Sequence, residues 1–123
     1  MFKALRFGVI ATIFSLFISA PASASDTGVA SMLHTLRGEK AQVCVVGHFH
    51  HGKSPRAFRT RNQAYKAAVK HWVTFTVAEY GTDWGHYNRA SHRSANCEKA
   101  SRTSWTCKVQ ARPCRKGLSV ARR

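Results

Sequence analysis

The sequence predicts an α+β domain: one amphipathic helix at about residues 60–80 and a short second helix, packed on a small, roughly three-stranded antiparallel sheet stapled by disulfides. Three observations carry this expectation. Apolar residues recur with helical period through the middle of the chain, β-branched or alternating runs flank them, and four cysteines occur in a chain that starts like an exported one.

The export reading comes from the amino terminus. Lys3 and Arg6 precede a weakly polar or apolar run from Phe7 to Ala20, and Pro21 and the small-residue triplet Ala22-Ser23-Ala24 follow. Fourteen residues are too few to span a bilayer as a helix, which needs roughly 20. The run therefore reads as a cleavable signal peptide, residues 1–24, with Ser25 as the first mature residue. No cysteine follows it before Cys44, so a lipid anchor has no attachment point. The chain is expected to be periplasmic or secreted.

Removing the 24 leader residues from 123 leaves 99, enough for one domain with a small core. The leader takes Lys3 and Arg6 with it, so the net charge of +15 falls to +13. Such a chain repels itself when compact and gains from cross-links. The cysteines Cys44, Cys97, Cys107 and Cys114 are spaced by 53, 10 and 7 residues, with no Cys-x2-Cys pair of the kind that holds zinc. In an oxidising compartment they read as two disulfides. Three pairings are open, and strand geometry favours Cys44 with Cys114 and Cys97 with Cys107.

Residues 25–40 read as a partly ordered leader with a short helical stretch near Val29 to Leu36, and residues 41–115 as the domain proper. From Gln42 the run Gln-Val-Cys-Val-Val-Gly-His-Phe-His fits a strand, ending in the loop signals of His51-Gly52-Lys53-Ser54-Pro55. Between about Thr60 and Tyr80, one helical face collects Tyr65, Ala68, Val69, Trp72, Val73, Thr76 and Tyr80, with Phe75 at its edge and Lys66, Lys70 and Thr74 opposite. Gly81 stands where a left-handed cap is wanted. Thr82 or Asp83 then caps a second helix carrying Trp84, Tyr87 and Ala90. Two strands follow, Ser94 to Lys99 and Ser104 to Arg112. The second alternates: Trp105, Cys107, Val109 and Ala111 face one way, and Thr106, Lys108, Gln110 and Arg112 the other. A turn around residues 101 and 102 sets Cys97 close to opposite Cys107. Pro113 ends the strand, and residues 116–123 form a basic tail.

The succession Trp72, Glu79-Tyr80-Gly81, Trp84, Tyr87, Ala90, Cys97, Trp105-Thr106-Cys107 and Ala111-Arg112-Pro113-Cys114 resembles small exported, cysteine-containing proteins of unknown function associated with alphaproteobacteria. The likeness covers roughly residues 44–115. It implies export and the domain boundaries, and brings no activity and no functional residue.

Positive charge is the leading functional signal. Lys53, Arg56, Arg59, Arg61, Lys66 and Lys70 occur in a stretch without an acid, and Arg112, Arg115, Lys116, Arg122 and Arg123 lie in an acid-free end. A charge of +13 on 99 residues exceeds the roughly 2–8 that keeps a small domain soluble. It points to an anionic polymer or membrane surface as partner, bound through Coulomb attraction and counterion release. Export makes nucleic acid the weaker choice. A protein partner, with the charge incidental, is the alternative.

Two smaller constellations complete the candidates. Trp84 and Tyr87, on a short helix beside His86 and Arg89, would stack on a sugar ring if exposed. His48, His50 and His51 suggest metal binding: in one continuous strand, His48 and His50 project to the same face. The competing reading is a solvated His-rich loop. No enzyme is expected. Glu39, Glu79, Asp83 and Glu98 are the only carboxylates of the expected fold, and neither a Gly-x-Ser-x-Gly nor a His-Glu-x-x-His motif occurs. No cofactor is expected either.

Overall fold

The computed structural model describes residues 24–39 and 42–117. The leader up to Ser23 and the tail residues Arg122 and Arg123 lie outside the described residues. The α+β class with disulfides is as expected, but the strands form two three-stranded antiparallel sheets where the sequence suggests one. In chain order the elements are α1 (Val29–Leu33), β1 (Leu36–Glu39), β2 (Gln42–Val45), β3 (His50–Lys53), α2 (Arg61–Tyr80), a 3-10 turn (Thr82–Trp84), β4 (Ser91–Ser101), β5 (Ser104–Arg112) and β6 (Cys114–Lys116). One sheet has the order β1-β2-β6, the other β3-β5-β4.

The two sheets exist because the run read as one strand from Gln42 to His50 breaks at Gly47. There the backbone turns through φ 76°, a conformation glycine adopts without steric cost. β2 stays in the first sheet and β3 crosses to the second. Pro113 makes the matching break between β5 and β6, since it cannot donate to a ladder.

Helix α2 begins in a reciprocal cap. The Thr60 hydroxyl accepts from the Gln63 amide at 3.1 Å, while the Gln63 side chain accepts from the Thr60 amide at 3.3 Å. Ala64, Ala68, Trp72, Thr76 and Tyr80 are buried, a stripe at spacing four inside the face the periodicity marks out. Its small residues let the sheet come close. A β-carbon at Gly52 would stand 2.7 Å from the Trp72 backbone nitrogen and nearer still to the Ala68 carbonyl oxygen, so β3 lies on α2 only because residue 52 has no side chain. Tyr87, Ala90, Cys107, Val109 and Ala111 complete this core.

The second helix is shorter than expected. Trp84 and Gly85 donate to the carbonyls of Gly81 and Thr82, three residues back, and no side chain caps the turn. Gly81 ends α2 at φ 102°, ψ 170°, so the chain leaves extended instead of left-handed helical.

Residues 25–39 also belong to the folded body. The Thr27 amide donates to the Tyr80 carbonyl and the Asp83 amide to that of Ser25, each at 2.9 Å. β1 pairs with β2 from Leu36 opposite Val45 to Glu39 opposite Gln42. Ala30, Val45, Tyr80 and Trp84 form a second core beneath α1 and the first sheet.

Both disulfides join directly opposed residues. Cys97 pairs with Cys107 across β4 and β5, and Cys44 with Cys114 across β2 and β6, with Cα atoms 4.1 Å apart in each. The hairpin turns one residue later than expected, at Arg102 and Thr103, with Ser101 opposite Ser104. Among the described residues no helix is long and apolar enough to cross a membrane.

Candidate functional site

Strand β3 organises the exposed charge. Its alternation turns His50 and Gly52 inward and His51 and Lys53 outward. On the outer face of the second sheet Lys53 lies directly opposite Lys108, and His51 opposite Gln110. Like charges facing across strands are destabilising. No carboxylate of the described residues stands within 4 Å of either ammonium; Asp26 pairs with Arg115, and Glu79 lies beside the His50 ring. Glu98 shares a shallow hollow with Lys53 and Lys108, but its carboxylate accepts from the Asn96 amide at 2.8 Å.

The charged band continues over the edge of the sheet. Lys53 and Lys108 also line a second hollow with His51 and His71, and His71 lines a third with Lys70, Pro55 and Phe58. Arg56 lies with its guanidinium 4.3 Å from the Phe58 ring centre. Arg56, Arg59, Arg61, Lys66 and Lys70 are all exposed. Lys53 and Lys70 of the first basic segment thus border the hollows around β3, Arg61 lines a separate hollow with Ala95 and Cys97 of β4, and β5 adds Lys108. The alternation of β5 signals that lysine in the sequence; nothing there places His71 beside it.

The second basic segment divides. Lys116 is exposed, whereas Arg112 and Arg115 are half-buried and engaged within the fold. The Arg112 guanidinium lies 4.7 Å from the Phe49 ring centre; that of Arg115 lies 5.5 Å from the Trp84 ring centre and pairs with Asp26 at 3.3 Å. Arg115 thus ties β6 of the first sheet to Asp26 and Trp84, while Arg112, at the end of β5, covers Phe49.

Trp84 and Tyr87 are not a stacking platform. They are 1% and 8% exposed, Trp84 in the core under α1 and Tyr87 edge-on to Trp72 at 5.1 Å. At spacing three after the α2 terminus, these aromatics fold back over the two cores instead of facing solvent.

The histidines do not converge on a metal. His51 points out while His50 is 1% exposed, and His48, just before β3, lies beside His50 with no third ligand completing a site among the described residues. Among the described residues no group of three or more His, Cys, Asp or Glu is placed to hold a metal ion. Instead the rings form a chain. His34 stacks on His48 at 4.4 Å, His48 meets His50 edge-on at 5.1 Å, and His50 stacks on Tyr80 at 4.7 Å.

The tautomer of His50 follows from its partner. The Thr76 hydroxyl donates its one proton to the Trp72 carbonyl at 2.8 Å, so it accepts from Nδ1–H of His50 at 2.9 Å. Nε2 is left without a hydrogen-bond partner, 3.4 Å from the Glu79 carboxylate. Burial, followed by the imidazoles of His48, His34 and His51, lowers the His50 pKa to about 4. The partly exposed Glu79 carboxylate pulls the other way and is outweighed. Burial also raises the pKa of the Tyr80 hydroxyl, and Glu79 adds to that effect. None of His34, Thr76, Glu79 and Tyr80 is adjacent to His50 in sequence, so this cluster has no sequence signature.

Comparisons with protein-family models, with curated proteins and with solved structures find no match for this chain.

Proposed function

We propose that this protein is a small exported binding module that engages anionic polymers or surfaces of the cell envelope or extracellular space through the cationic band around β3. The observation that carries the reading is the Lys53 and Lys108 pair, two exposed ammonium groups set opposite each other with no carboxylate of the described residues within 4 Å of either, and with Glu98, which accepts from Asn96, in the hollow beside them. A fold that retains such a repulsion gains from an anion placed between the two groups. Lys70 and Arg56 extend the same charge across the sheet edge, where a chain of anionic groups meets several cations at once.

The reading is tested with Lys53→Gln/Lys70→Gln/Lys108→Gln. Binding of the mature protein to inorganic polyphosphate at low salt is expected to weaken by about tenfold to a hundredfold, since three exposed cations at roughly 0.5–1 kcal/mol each sum to about 1.5–3 kcal/mol. The circular dichroism spectrum should not change. Equal binding by the variant would place the anion contact elsewhere. No binding by the wild type would favour a protein partner instead.

A further inference from the structure

We infer that the partner surface is an anionic phospholipid membrane, bound peripherally by apolar side chains and the cationic band together. The inference rests on the anion-binding reading above and narrows its partner. Its independent observation is apolar. Met32 and Leu33 of α1 are 81% and 66% exposed, and Phe75 of α2 is 50% exposed. In a strongly charged small domain, three large apolar side chains held in water on two neighbouring helices call for an occupant.

Their placement ties them to the charge. Phe75 stands four and five residues after His71 and Lys70, so it continues the exposed side of α2 that borders the cationic band. The residue after Leu33 and the Phe75 ring border one cluster: His34 stacks on His48, His48 meets the buried His50, and His50 meets Phe75 edge-on at 5.0 Å. A soluble polyanion gains nothing from Met32, Leu33 or Phe75. A second copy of this chain would bring the same positive charge to the interface. An anionic bilayer complements both features, because peripheral binding sums apolar insertion and attraction to acidic headgroups, each weak alone.

The mature protein is titrated against vesicles of equimolar neutral and anionic phospholipid, against wholly neutral vesicles, and against inorganic polyphosphate. The wild type is expected to bind the mixed vesicles and the polyphosphate, and to retain part of its vesicle binding at salt that abolishes polyphosphate binding. Met32→Ser/Leu33→Ser/Phe75→Ser should lose that salt-resistant part and weaken on mixed vesicles by about tenfold or more, with polyphosphate affinity unchanged. Met32→Ser/Leu33→Ser, confined to exposed positions, should give a smaller loss in the same direction even if Phe75→Ser perturbs the His50 contact. Vesicle binding equal to wild type in both variants overturns the inference while leaving anion binding intact. A wild-type dimer that both variants convert to monomer overturns it in favour of self-association. Absence of polyphosphate binding in the wild type marks failure of the anion-binding reading itself.

Discussion

His50 shows how one residue changes meaning between sequence and fold. Beside His48 and His51 it reads as a metal ligand, but the turn at Gly47 carries it into the interior, onto Thr76 and Tyr80. Burial and the neighbouring imidazoles hold its pKa near 4, below the 6.5 of an unfolded chain. The folded state therefore resists taking a proton that the unfolded chain accepts. The stability linked to this neutral histidine is fully present above pH 6.5, declines as pH falls from 6.5 towards 4, and is lost below 4. The gap corresponds to about 3 kcal/mol. Urea unfolding between pH 7.5 and pH 4 is expected to show this decline in the wild type. His50→Gln, which has no proton to gain, should be less stable at neutral pH and show a flatter profile. A wild-type profile flat over that range would contradict the neutral, buried assignment. The burial that dominates this behaviour comes from packing on Thr76 and Tyr80 of α2, and His34, just past the end of α1, adds to it; all three are distant in sequence, so the residue pattern shows only the neighbouring His48 and His51.

Among the elements, α2 and the β4–β5 hairpin are the most legible in the sequence. A helix face written by Ala68, Trp72, Thr76 and Tyr80, and a strand alternating through Cys107, Val109 and Ala111, each repeat with the period of their own backbone. The hairpin register sets Cys97 opposite Cys107, so the disulfide follows from the alternation. The first sheet is not legible. β1, β2 and β6 are three or four residues long, too short for periodicity, and they join through pairings between distant segments. The approach of β3 to α2 is equally hidden, because only the fold shows that Gly52 meets the backbone of Ala68 and Trp72. Gly52→Ala is expected to force the strand off the helix and lower stability by about 1–3 kcal/mol. Thermal unfolding monitored by far-UV circular dichroism measures this; an unchanged midpoint would mean that β3 does not lie on α2 as described.

At the scale of the molecule, two cores share α2. Ala64, Ala68 and Trp72 pack on the second sheet, and Tyr80 packs under α1 and the first. This arrangement turns the first basic segment outward and spends Arg112 and Arg115 on internal contacts with Phe49, Trp84 and Asp26. The net charge is read directly from the sequence. Its division into contacting and structural cations is not, because that depends on which aromatic ring each arginine covers. Binding of anionic partners by Lys53, Lys70 and Lys108 is proposed to be driven by charge, and the salt dependence of polyphosphate binding by residues 25–123 tests this. Log K is expected to fall linearly and steeply with log salt, with a slope that becomes shallower by close to one for each of these lysines replaced by Gln. An affinity that stays constant from low to physiological salt, or a slope the replacements leave unchanged, would contradict it.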